Sequence, residues 1–85
     1  MDITTTASEF AGLLARLHLT GEDLAALLDV SVPTVSYWRT GRRTDRRRGG
    51  EVSVVAPRAV MLLLSAWEEH PELLAAARST FLAER

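Results

Sequence analysis

An all-helical fold of five helices is what this chain predicts, on three observations. Apolar residues recur at three- and four-residue spacing along most of its 85 positions; Ser/Thr-x-x-acid strings precede apolar stretches; and Pro33, Gly41, Pro57 and Pro71 stand at the edges of the periodic segments. Positions 1–5 are expected to fray. Thr6 begins a T-A-S-E string with Glu9 in the capping-box position, and Phe10, Leu13, Leu14 and Leu17 follow at helical spacing, which gives a helix from about Ala7 to Leu17. Thr20 opens a second helix, with Asp23 in the capping-box position and Glu22 near the positive helix end. Leu24, Leu27 and Leu28 form its inward stripe, and Asp29-Val30-Ser31 ends it early. Ser31 caps a third helix, Pro33 lies in its first turn, Val35 and Trp38 point inward, and Gly41 ends it.

Positions 42–56 are the least regular. They hold five Arg, the Gly49-Gly50 pair and the alternation Val52-Ser53-Val54. The glycines could form a two-residue hairpin turn. Strand formers are scarce before them, so a flexible arm is favoured over a regular β-wing. Pro57 starts a fourth helix that runs to about Glu69, with Val60, Leu63, Leu64 and Trp67 on its inward face and Met61 and Leu62 off it. His70 caps a fifth helix with Pro71 at its first position and Glu72 in its first turn; Leu73, Leu74, Ala77 and Phe81 give its apolar side, to about residue 83.

The length fits one domain, residues 1–85, whose core alone supplies roughly 3–5 kcal/mol, so self-association is an expected stabiliser. Without cysteine, neither disulfides nor thiolate metal sites contribute. No secretory signal is visible, and the longest apolar run, Ala59 to Leu64, is far below the roughly 20 residues a membrane span needs; a cytoplasmic protein is expected. The net charge of −1 conceals a segregation: residues 1–38 carry −4, residues 39–48 carry +5, and residues 49–85 carry −2. Arg39, Arg42, Arg43, Arg46, Arg47 and Arg48 make up the basic block. A guanidinium cluster between acidic flanks favours one docking orientation on a polyanion.

The block follows directly on LTGEDLAALLDVSVPTVSYWRTG, two short helices joined by a tight turn. Residues 20–41 fit a helix-turn-helix. One helix braces a second, which enters the major groove. Ala25 is small where the helices must touch, Asp29-Val30-Ser31 supplies the turn, and Val35 and Trp38 anchor the inner side of the second helix.

Over about residues 8–43 the chain resembles the XRE/Cro, lambda-repressor-like class of helix-turn-helix regulators, with "LA" at 24–25, "VS" at 30–31, "TVSYW" at 34–38 and "GRR" at 41–43. "HPELL" at 70–74 is similar to antitoxin-type and small phage-type members, among them anti-CRISPR-associated regulators. The chain departs from the pattern twice: Asp29 stands where a Gly is usual, and about a dozen extra residues separate "GRR" from the fourth helix. The resemblance implies base-reading positions at Val32, Pro33, Thr34, Ser36 and Tyr37, and phosphate contacts at Arg42 and Arg43. Arg39 is placed for a guanine or a phosphate, Thr20 and Gly21 for a phosphate at a helix N-terminus, and Arg46, Arg47 and Arg48 for the backbone or an adjacent minor groove. Met61, Leu62, Phe81 and Leu82 are candidates for a homodimer surface.

His18 and His70 lack partners at ligand spacing, no serine stands in a base-and-acid arrangement, and no phosphate-cradling glycine loop is present; no metal, cofactor or catalysis is expected. The expected function is a dimeric, sequence-specific repressor that binds an inverted repeat in double-stranded DNA and acts by occlusion, with autorepression of its operon implied by family analogy. An antitoxin-type interaction protein that neutralises a partner through the last two helices is the rival. RNA binding through the Arg block is a third reading, with Tyr37 as its main stacking candidate.

Overall fold

The computed structural model describes residues 3–45 and 49–82. Five helices and one two-stranded hairpin follow one another: α1 (Ile3–Arg16), α2 (Gly21–Leu28), α3 (Val32–Thr40), β1 (Arg42–Asp45), β2 (Gly50–Ser53), α4 (Arg58–Glu69) and α5 (Pro71–Phe81). Helix α1 starts a turn earlier than its capping-box string predicts, so Thr6 lies inside the helix and is not its N-cap. Extending a helix backward through three threonines costs only a few tenths of a kcal/mol per residue, which leaves such boundaries weakly specified.

Local chemistry sets the next boundaries. At the end of α1, His18 takes a left-handed conformation (φ 56°), and the N–H groups of His18 and Leu19 donate to the carbonyls of Ala15 (3.2 Å) and Leu14 (3.0 Å), the pair of bonds that closes a Schellman motif. At the start of α2, Thr20 Oγ1 accepts from the Asp23 N–H (3.0 Å) while Asp23 Oδ2 accepts from the Thr20 N–H (3.4 Å), a reciprocal box. Asp29 ends α2 at φ 57°, ψ 47°. Ser31 then caps α3 by accepting from the Thr34 N–H, and Gly41 (φ 81°) terminates it.

The core is apolar throughout. Phe10, Leu14, Leu24, Val35 and Leu64 are fully enclosed at its centre, with Leu13, Trp38, Ala56, Trp67 and Leu74 around them. Each such large side chain contributes about 1.5–3 kcal/mol on burial. Phe10 meets Trp38 edge to face, ring centroids 5.9 Å apart at 87°, and locks α1 onto α3. No buried side-chain donor or acceptor among the described residues lacks a partner.

Several expectations need correction. The segment after Gly41 is a paired hairpin and not an irregular arm: β1 and β2 run antiparallel with Arg42 opposite Ser53 and Asp45 opposite Gly50. The Gly49-Gly50 pair is not a two-residue turn. Gly50 is in β2, paired with Asp45, and Gly49 before it stands at φ 68°. Closure at the root outweighs the poor strand propensity of the arginines, because the Val54 N–H donates to the Gly41 carbonyl (2.9 Å) and Thr40 Oγ1 bonds the Arg42 carbonyl (3.0 Å). Buried Ala56 and half-buried Val54 then tie the returning chain to the core.

On α4, Leu64 and Trp67 are inward as expected, but Leu63 is 36% exposed. Helix α1 lies along the Met61, Ser65 and Glu68 side, so the inward face is rotated toward Met61 and away from Leu63. On α5, Leu74 and Ala77 face the core while Leu73 (49%) and Phe81 (62%) are exposed. Leu73 falls to the flank of the covered face, and Phe81 shares the angular position of Leu74 and Ala77 but lies at the last turn, where no other element covers it among the described residues. His70 stands between the two helices, gives α5 no side-chain cap, and has Nδ1 3.6 Å from Glu72 Oε1. Among the described residues no helix is long and apolar enough to cross a membrane.

Candidate nucleic-acid interface

Helix α3 is two-sided. Val35 is fully enclosed and Trp38 nearly so, which clamps the inner side between α1 and α2. Val32, Pro33, Ser36 and Arg39 lie exposed on the outer side, while Thr34 and Tyr37 are half-buried at its edges. The Thr34 hydroxyl is 2.7 Å from Ser31 Oγ, so part of its hydrogen-bonding capacity serves the cap. Of the five positions inferred for base reading, three thus open fully outward and two sit at the margin. Among Val32, Pro33 and Ser36, only Ser36 carries a polar side chain.

Thr20 and Gly21, at the start of α2, border the same surface. With Glu22, Val32, Val35, Ser36 and Arg39 they line a shallow groove of about 450 Å³. The Arg39 guanidinium folds toward Gly21: a Cβ built there would lie 3.6 Å from Arg39 Nη2 and 3.8 Å from Val35 Cγ1. These are ordinary contact distances, so space alone does not require glycine. The groove holds one acid, Glu22, and one base, Arg39, and is close to neutral. Concentrated positive charge comes from the hairpin that leaves the end of α3. Arg42 is exposed on β1 beside the Gly41 junction, and Arg43 follows opposite Val52. Arg46, Arg47 and Arg48 lie outside the described residues.

Of the proposed dimer positions, Leu62 is 65% exposed and Phe81 is exposed at the end of α5, while Met61 and Leu82 are half-buried. Leu62 borders a second groove, about 370 Å³, between α1 and α4, with Leu13 and Met61 in its wall and Glu9, Arg16, Arg58 and Glu68 around it. Arg16 and Glu68 form an ion pair across that groove. The hydrogen bond to Glu68, then the carboxylate charge, raises the Arg16 pKa further above its ordinary value. Among the described residues no cluster of three or more His, Asp or Glu is placed to hold a metal.

Sequence reasoning missed Arg78. On α5, it donates across the molecule to the carbonyls that end α1, and it approaches Asp23. Its one local signal is its position next to Ala77 and four residues after Leu74, on the covered side of α5 and not on the solvent side.

Comparison with known proteins yields no match: no family model, no curated protein and no solved structure is significantly similar to this chain.

Proposed function

We propose that this chain is a sequence-specific double-stranded DNA-binding repressor with a lambda-repressor-like helix-turn-helix. Helix α3 would enter the major groove, the start of α2 would meet the backbone, and the basic hairpin would extend along phosphates or into the adjacent groove. One observation carries the reading: a short helix whose inner side is locked in the core by Val35 and Trp38 has an open outer side, and a hairpin rooted at its last residue begins with Arg42 and Arg43. That combination suits reading base edges with one element while neutralising charge with the next. The outer side is poor in side-chain donors, so Ser36, Tyr37, Thr34 and Arg39 carry the polar contacts, and Val32 and Pro33 meet thymine methyls or sugars.

The reading includes a homodimer on an inverted repeat with half-sites about 34 Å apart, one turn of DNA. Exposed Leu62 and Phe81 support an apolar self-contact. The same exposed leucines and phenylalanine on α4 and α5 favour the second reading, an antitoxin-type protein that holds a partner with these helices. Repression by occluding polymerase needs only affinity at an overlapping site.

The test is a binding titration against a duplex selected from a random pool, with a scrambled duplex and a structured RNA as competitors. Preference for the selected duplex by about 10³-fold or more fits a specific reader. Equal competition by all three would reduce the Arg block to charge alone and end this proposal. Replacing Thr34, Ser36, Tyr37 and Arg39 together with Ala should erase the preference while leaving the core intact.

A further inference from the structure

From the middle of α5, the Arg78 side chain reaches the corner where α1 ends and α2 begins. Its Nη2 donates to the His18 carbonyl (3.1 Å) and lies 3.4 Å from the Leu17 carbonyl, and its Nη1 is 3.9 Å from Asp23 Oδ2. These partners are themselves structural hinges. Leu17 and His18 carry the carbonyls that end α1, and His18 is held left-handed; Asp23 Oδ2 is the atom that caps the Thr20 N–H. A planar guanidinium can serve carbonyls and a carboxylate on diverging directions at once, which an ammonium does less well.

The corner matters because the two helices that meet there carry most of the packing of α3. It packs on α2 directly and on α1 through Phe10 and Trp38, so the angle between α1 and α2 sets the direction in which the outer side of α3 faces. We propose that Arg78 is a positioning residue for DNA reading: from α5 it fixes the α1–α2 corner and, through it, the orientation of α3. This rests on the reading of α3 as the helix that enters the groove.

Two measurements on the full chain test it. Amide hydrogen exchange of the free protein reads the corner itself, without DNA. Arg78→Met should accelerate exchange at residues 19–23 and leave the amides of the α3 interior near wild type. Fluorescence anisotropy then compares the pool-selected duplex with a scrambled duplex of the same composition. Partial unfolding scales both affinities alike, so their ratio is blind to it; misdirection of α3 lowers the ratio. Arg78→Met should cut the ratio about tenfold, comparable to losing one base contact, with Arg78→Lys between it and wild type. Should Arg78→Met not fold, Arg78→Lys carries the same comparison. Unchanged exchange at residues 19–23, or accelerated exchange with an unchanged ratio, overturns the proposal. If the wild-type chain itself does not distinguish the two duplexes, the DNA reading fails and takes this proposal with it, an outcome recognisable before any variant is made.

Discussion

Asp29 holds a conformation that costs most L-residues about 1 kcal/mol or more, and it sets a carboxylate at the negative end of α2. Glycine would relieve both penalties at the expense of a more flexible unfolded chain. Asp29→Gly is therefore expected to stabilise the protein by about 0.5–1 kcal/mol, a rise in Tm of several degrees at about 4–8 °C per kcal/mol for a domain of this size. A thermal melt below that of the wild type would contradict the strain argument. Thr20→Ala removes one half of the reciprocal box and should cost about 1 kcal/mol in the same assay. Thr20, Asp29, Ser31 and Gly41 were legible in the sequence because each acts on backbone groups within a few positions of itself. Arg78 and the Arg16–Glu68 pair were not, because their partners lie more than 50 positions away and composition carries no sign of which distant carbonyl a guanidinium will meet.

Among the elements, α2, the turn and α3 came through from sequence nearly intact, since caps at both ends bracket short amphipathic stretches. The hairpin did not. Its pairing is decided at the root, by the Val54 N–H reaching back to Gly41 and by Ala56 entering the core, and neither contact registers as strand propensity. The Val54 amide should therefore exchange more slowly than that of Ser53 or Val55; equal rates would mean the root is open in solution. The inward faces of α4 and α5 were misjudged at Leu63, Leu73 and Phe81 for a related reason: periodicity finds an apolar stripe but not which part of it a neighbour covers. Phe10 is the fully enclosed aromatic by which α1 meets α3. Phe10→Ala should cost about 3–5 kcal/mol, comparable to the whole stability of a domain this small, whereas Phe10→Leu should cost less than about 1.5 kcal/mol. Denaturant unfolding of both variants checks the contrast.

At the scale of the whole molecule, charge is separated along the chain into acidic flanks and one basic block at 39–48, although the net charge is only −1. Each neutralised phosphate contributes about −0.9 to the slope of log K against log salt, so replacing Arg46, Arg47 and Arg48 with Ala should flatten that slope by about 2–3 per protomer if all three touch DNA. An unchanged slope would confine the electrostatic contact to Arg39, Arg42 and Arg43. Association is testable apart from DNA. If the chain dimerises as proposed, Leu62→Asp, at a position mostly open to solvent, should shift the sedimenting species to monomer; a dimer that persists would move the contact to α5 around Phe81, and a monomeric wild type would remove the dimer from the proposal.

Among the described residues the hairpin is fastened to the helices at its root, by Val54 on Gly41 and Thr40 on Arg42, while the space beside Gly49 and Gly50 is open, so the chain there can change length with little disturbance to the helices. An epitope or a fluorescent reporter peptide grafted beside Gly49 should leave the melting temperature where it is. The same openness would let descendants of this sequence lengthen or shorten the hairpin while the helical platform stays as it is.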